Sequence, residues 1–186
     1  GGSDLLLNNT AKAGLAGIVG RMLNEDTEKY TSEQISAELQ KLGSNVSVFD
    51  GGDAMLYSAS SLTKNLDKTL ALFQERLYHP KFTTDALDRI KKQTIQGLKN
   101  AKTQPANVAS TVFEKVLYGL DNPRVMVSNG TEATINSITL EDVQKFYDNN
   151  FSPSVASVVI VGDITEADAK AKLAFLNSWK AKPVTI

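Results

Sequence analysis

The sequence predicts an α+β domain in which helices pack on one face of a mostly antiparallel sheet. Three observations carry this. Two short alternating runs flank the turn Asp50-Gly51-Gly52-Asp53, a series of capped stretches repeats apolar residues at helical spacing, and one continuous apolar run lies near the C-terminal end.

The elements follow in order. Ala11 to Leu23 carries Leu15, Ile18, Val19, Met22 and Leu23 on one helical stripe. Thr31-Ser32-Glu33-Gln34 has the capping-box pattern, opening a helix that runs through Leu42 and stops at Gly43. Asn45 to Asp50 alternates Val46 and Val48 with Ser47 and Phe49, and Ala54 to Ser60 returns as its hairpin partner. Leu66 to Tyr78 is helical and ends at His79-Pro80, where proline bars continuation. Thr83-Thr84-Asp85 caps a helix to Lys102, with Leu87, Ile90, Ile95 and Leu98 along it. Pro105 suits the first turn of a helix reaching Tyr118 and closed by Gly119.

Asp121 to Ile135 has no period and reads as loop or a short turn. Thr139-Leu140-Glu141-Asp142 starts a helix to about Asn149. Ser154 to Gly162 is apolar on both faces, as a central strand is. Thr165-Glu166-Ala167-Asp168 caps a last helix through Trp179. Phe113, Tyr118, Phe146, Tyr147 and Phe151 fall in or beside helices and are expected to fill the core.

Composition bounds the function classes. With 186 residues and 41% hydrophobic content, one compact domain can bury a sizeable core. Twenty basic residues are interspersed with twenty-one acidic ones, and the net charge is −1, which offers no electrostatic footprint for nucleic acid. Without cysteine, disulfides and thiolate metal sites are excluded. No stretch approaches the ~20 apolar residues of a membrane span, none reads as a signal peptide, and no repeat is visible. The compartment stays open between a bacterial periplasm and cytoplasm.

The chemistry turns on Gly14-Leu15-Ala16-Gly17-Ile18-Val19-Gly20-Arg21-Met22-Leu23. This block resembles the G-L-A-H-x-x-E-H-M-L helix of the pitrilysin/insulinase zinc peptidases, in which an inverted motif supplies two histidine ligands and a glutamate base. The resemblance continues through Leu42-Gly43-Ser44-Asn45-Val46, His79-Pro80-Lys81-Phe82 and Val158-Val159-Ile160-Val161-Gly162-Asp163-Ile164. Gly1-Gly2-Ser3 resembles the turn after the family's first strand, which implies that the chain begins inside a domain.

At the three motif positions stand Gly17, Gly20 and Arg21, spaced i, i+3, i+4 on one helical face. None is a ligand for Zn²⁺. The resemblance puts the distal glutamate ligand at Gln96 or Gly97, so both parts of the metal site are missing. The one histidine, His79, precedes a proline at a helix end and is expected at the surface. No Ser-His-Asp arrangement can be assembled without a placed histidine base, and Glu25-Asp26 and Glu141-Asp142 read as charges at helix ends. Gly14, Gly17 and Gly20 imply close backbone approach to another element. Arg21 is expected to pair with a nearby carboxylate, or to face a carboxylate-bearing substrate.

The family resemblance implies repeated domains of this kind that form two halves around a chamber. The resulting expectation is a single non-catalytic domain, part of a larger protein, that forms chamber wall and supports binding of a peptide or unfolded protein. Its partner is a catalytic half, fused or separate, which holds Zn²⁺ and hydrolyses the peptide bond. The alternative is a scaffold subunit or protein-interaction module with no link to proteolysis.

Overall fold

The computed structural model describes residues 10–52, 54–119 and 130–184. A 3₁₀ turn at Thr10–Lys12 precedes helix α1, Leu15–Met22, whose N-cap Gly14 adopts a left-handed conformation (φ 91°). The Ala11 to Leu23 stripe is thus broken at Gly14, which φ > 0 keeps out of a helix. Helix α2, Ser32–Leu42, opens on a complete capping box between Thr31 and Gln34 and closes on Gly43 at φ 58°. Strands β1, Asn45–Asp50, and β2, Met55–Ser60, pair antiparallel with Val48 opposite Tyr57.

Helices α3, Leu66–Tyr78, α4, Thr84–Lys102, and α5, Pro105–Tyr118, follow as the caps and prolines predict. Helix α6, Glu132–Ser137, lies partly within the stretch expected to be irregular. Thr131 caps it, with Thr134 in the place usually held by Glu or Gln, and so short an element shows little periodicity. Helix α7, Leu140–Asn150, and helix α8, Glu166–Lys172, complete the α set. Beyond Lys172 the predicted last helix tightens to a 3₁₀ segment at Ala174–Ser178. The expectations for Gly1-Gly2-Ser3, Asp53 and residues 121–129 lie outside the described residues.

Two packed clusters hold these elements. The larger joins α1 to β1, α4, α6 and α7 through Ile18, Met22, Val48, Ile90, Ile135 and Val143. The smaller places Ile35 and Leu39 of α2 and Leu72 of α3 over Val46. Period-2 alternation decides the sides: Val46 and Val48 turn inward, while Phe49 and Leu56 are exposed on the other face. Tyr57 also turns inward, edge-on to Phe73 and Phe151 with ring centroids 5.6 and 6.1 Å away. Desolvation raises the pKa of its phenol well above the ordinary value, so the group stays neutral.

Three expectations need correction. The described residues contain a sheet of two strands only. Ser154 to Gly162 is not a strand: Pro153–Val155 form a 3₁₀ turn, and the following residues belong to no ladder. A strand exists by its neighbours' hydrogen bonds, so β-propensity alone could not place it. Among the aromatics, Phe146 and Phe151 are buried as expected, but Phe113 and Tyr118 are exposed along with Val116 and Leu117. Their helix, α5, contains no buried residue.

Candidate functional site

The three motif positions meet three different surroundings. Gly17 is half-buried, and a Cβ built there would have nothing within 4 Å. Gly20 is buried under the tip of the hairpin, where a Cβ would stand 3.2 Å from Met55 Sδ and 3.3 Å from the Asp50 amide nitrogen. Close approach therefore explains Gly20 and corrects the expectation for Gly17. Replacing Gly17 with Ala should raise the unfolding free energy by about 0.5–1 kcal/mol, because it gains helix propensity without a clash. Chemical denaturation reads this as a higher midpoint at unchanged slope.

Arg21 does not pair with a carboxylate. Its guanidinium reaches α4 instead, donating to Thr94 Oγ1 at 2.7 Å, to the Gln93 side-chain oxygen, and weakly to the Ile90 carbonyl at 3.4 Å. Thr94 Oγ1 in turn donates to the Ile90 carbonyl at 2.8 Å. Partial burial lowers the Arg21 pKa while the charge of Glu25 opposes the shift, and the group remains cationic at neutral pH. Glu25 itself is bonded to Arg89 at 2.5 Å. Gln96 lies elsewhere, exposed and donating to Asn100 Oδ1 at 2.9 Å, and Gly97 is exposed.

A second polar connection, for which the sequence gives little warning, fixes α1 to the hairpin. Asn24, just past α1, donates through Nδ2 to the carbonyls of Gly20 (2.8 Å) and Val48 (2.6 Å) and accepts from the Val48 amide (3.0 Å). Arg76 of α3, only 5% exposed, donates to the Val46 carbonyl and to Asn24 Oδ1 and O at 3.3 and 3.2 Å. Desolvation lowers its pKa; the acceptors replace lost water at Nη1 and Nη2, while the buried Nε has no partner among the described residues. One signal was present: Thr69, Leu72 and Arg76 share one buried helical stripe, so the charge sits where an apolar residue is expected.

The donor set does not fit Zn²⁺. Two motif positions lack side-chain donors, the third is a cation, and the groups facing it across α4 are a neutral amide and a hydroxyl. Among the described residues no three His, Cys, Asp or Glu side chains converge as a metal site would need. His79 caps α3, with Nδ1 3.6 Å from Glu28 at the surface. Glu25 pairs with Arg89 of α4, Asp26 accepts from the Ser32 amide, and Asp142 accepts from the Thr139 amide and pairs with Lys12 at 2.8 Å.

A model of the insulinase family, peptidase family M16, matches residues 6–122. The chain belongs to the M16 peptidase family. A model of the M16 inactive domain matches residues 137–185. The crystal structure of an M16 inactive domain from Pseudomonas fluorescens superposes with a TM-score of 0.86 at 28% identity, over 96% of this chain and 43% of that one. The periplasmic protease PqqL from Escherichia coli shares the fold, with a TM-score of 0.83 at 18% identity over 95% of this chain and 20% of that one.

The non-peptidase homolog YmxG of Helicobacter pylori is 24% identical over 158 residues, 85% of this chain and 36% of that protein. The mitochondrial-processing peptidase subunit beta of Neurospora crassa is 20% identical over 149 residues, 80% of this chain and 31% of that protein. This M16 chain therefore spans less than half the length of each of these relatives. No helix among the described residues is long and apolar enough to cross a membrane.

Proposed function

We propose that this chain is a single non-catalytic domain of a longer M16 protein. It forms chamber wall and presents surface to an extended peptide, while a separate or fused half holds Zn²⁺ and hydrolyses the peptide bond. The observation that carries this reading is the occupied motif face: Gly20 is packed against the hairpin, and Arg21 is tied to Gln93 and Thr94. Gly17 faces open space, but neither glycine carries a ligand and the Arg21 guanidinium adds a positive charge where a metal would sit.

The test is peptide cleavage by the H-x-x-E-H-bearing half, found by sequencing the gene's surroundings, with and without this chain. This chain alone should show no turnover, and adding it should raise kcat/KM by at least about tenfold, a differential binding effect of ~1.4 kcal/mol. An unchanged rate despite a stable complex would contradict the chamber role. The 24% identity to a protein named as a non-peptidase homolog favours a second reading, a scaffold or interaction module. That reading predicts association without stimulation.

A further inference from the structure

Arg21 is an exposed cation whose partners are all neutral. Thr94 Oγ1, the Gln93 side-chain oxygen and the Ile90 carbonyl take one guanidinium N–H each. The Nε–H and the second Nη2–H, which share the other edge of the guanidinium, have no partner among the described residues. Neither has the side-chain NH₂ of Gln93, which is also exposed. The nearby carboxylate of Glu25 is held instead by Arg89 at 2.5 Å.

The same contacts set how α1 faces α4. Glu25, just past α1, meets Arg89, and Arg21 meets Gln93, so the numbers rise on one side as they fall on the other and the two run antiparallel. One helical turn further on each, Gly17 comes opposite Gly97. A Cβ built at either glycine would have nothing within 4 Å. Facing turns without side chains therefore leave a slot between α1 and α4. The Arg21–Gln93 bridge, which spans both helices, closes it at one end.

We propose that this slot captures the C-terminal carboxylate of a peptide, with the peptide's last residues between Gly17 and Gly97 and its carboxylate on the free edge of Arg21 and the Gln93 amide. The donors select a carboxylate: a guanidinium edge meets both oxygens in parallel, and such charge-assisted bonds are the strong ones. The shape selects a chain end, because walls without side chains admit main chain while the bridge bars it from running on. The inference rests on the reading that this chain presents surface to an extended peptide.

The test is NMR titration of the whole chain with an N-acetylated alanine peptide that has a free C-terminus. The amides of Gly17 and Gly97, the Arg21 Nε–H and the Gln93 NH₂ should shift together. The same peptide amidated at its C-terminus should bind at least about tenfold more weakly, as should one capped at both ends with an internal Asp. Arg21→Gln keeps a polar group facing α4 and should also lose at least about tenfold, with the far-UV spectrum unchanged. Gly17→Leu fills the slot without a clash, so it should weaken binding as much while the chain stays folded. Equal binding of the amidated peptide overturns the proposal, as does unchanged affinity of Gly17→Leu. Equal binding of the internal-Asp peptide overturns it too, because the site then reads a side chain. No binding here, with the catalytic half still stimulated, overturns this inference and leaves the chamber role standing; binding here without stimulation does the reverse.

Discussion

Arg76→Met should lower the unfolding free energy by about 3 kcal/mol, which corresponds to a drop in Tm of roughly 6–12 °C for a domain of this size. The side chain is buried, and its donors serve the Val46 carbonyl and both oxygens of Asn24. Methionine keeps most of the volume, so the loss comes from acceptors left in the interior without a donor rather than from a cavity. Asn24→Ala strips the same edge of β1 from the other side and should cost a similar amount. The double variant should cost clearly less than the sum, since each change already disables the shared connection. Denaturant curves for the four proteins read this directly. Strict additivity would show that Asn24 and Arg76 act independently.

The triple variant Gly17→His, Gly20→Glu, Arg21→His, which rebuilds the zinc motif, should show no peptidase turnover. It should also be less stable by about 2 kcal/mol. Position 17 has open space, but a side chain at position 20 pushes against Met55 Sδ and the Asp50 backbone, and losing Arg21 releases its bonds to α4. The distal ligand is also missing, because Gln96 is turned to Asn100 and Gln93 is an amide. Adding Gln93→Glu is the stricter control, since that residue faces the motif. Turnover by the triple variant alone would show that another carboxylate completes the shell.

Much of the fold was legible because it is written in local chemistry. Thr31 with Gln34, Thr83, Pro105 and Gly43 place helix ends through their own side chains or backbone freedom, so short windows suffice. The hairpin was legible from alternation and its glycine turn. What failed depended on distant partners. The apolar run after Pro153 has strand composition but no ladder, and α5 has amphipathic spacing without a described surface to cover it.

The candidate site was legible in the same divided way. Gly17, Gly20 and Arg21 could be named from the resemblance, and their inability to bind zinc follows from residue type. That Arg21 would reach Gln93 and Thr94 depends on how α1 crosses α4, which no local pattern encodes. Asn24 gave no signal, and Arg76 gave one only as a charge on a buried stripe.

Zinc content of the purified chain reads directly whether the motif helix serves packing instead of metal. The protein would be loaded with Zn²⁺, dialysed against metal-free buffer at neutral pH and measured by elemental mass spectrometry. No stoichiometric zinc should remain, because Gly17, Gly20 and Arg21 offer no ligand and the α4 groups that meet Arg21 are an amide and a hydroxyl. One tightly held equivalent per chain would contradict it and show that side chains outside the motif helix build a metal site.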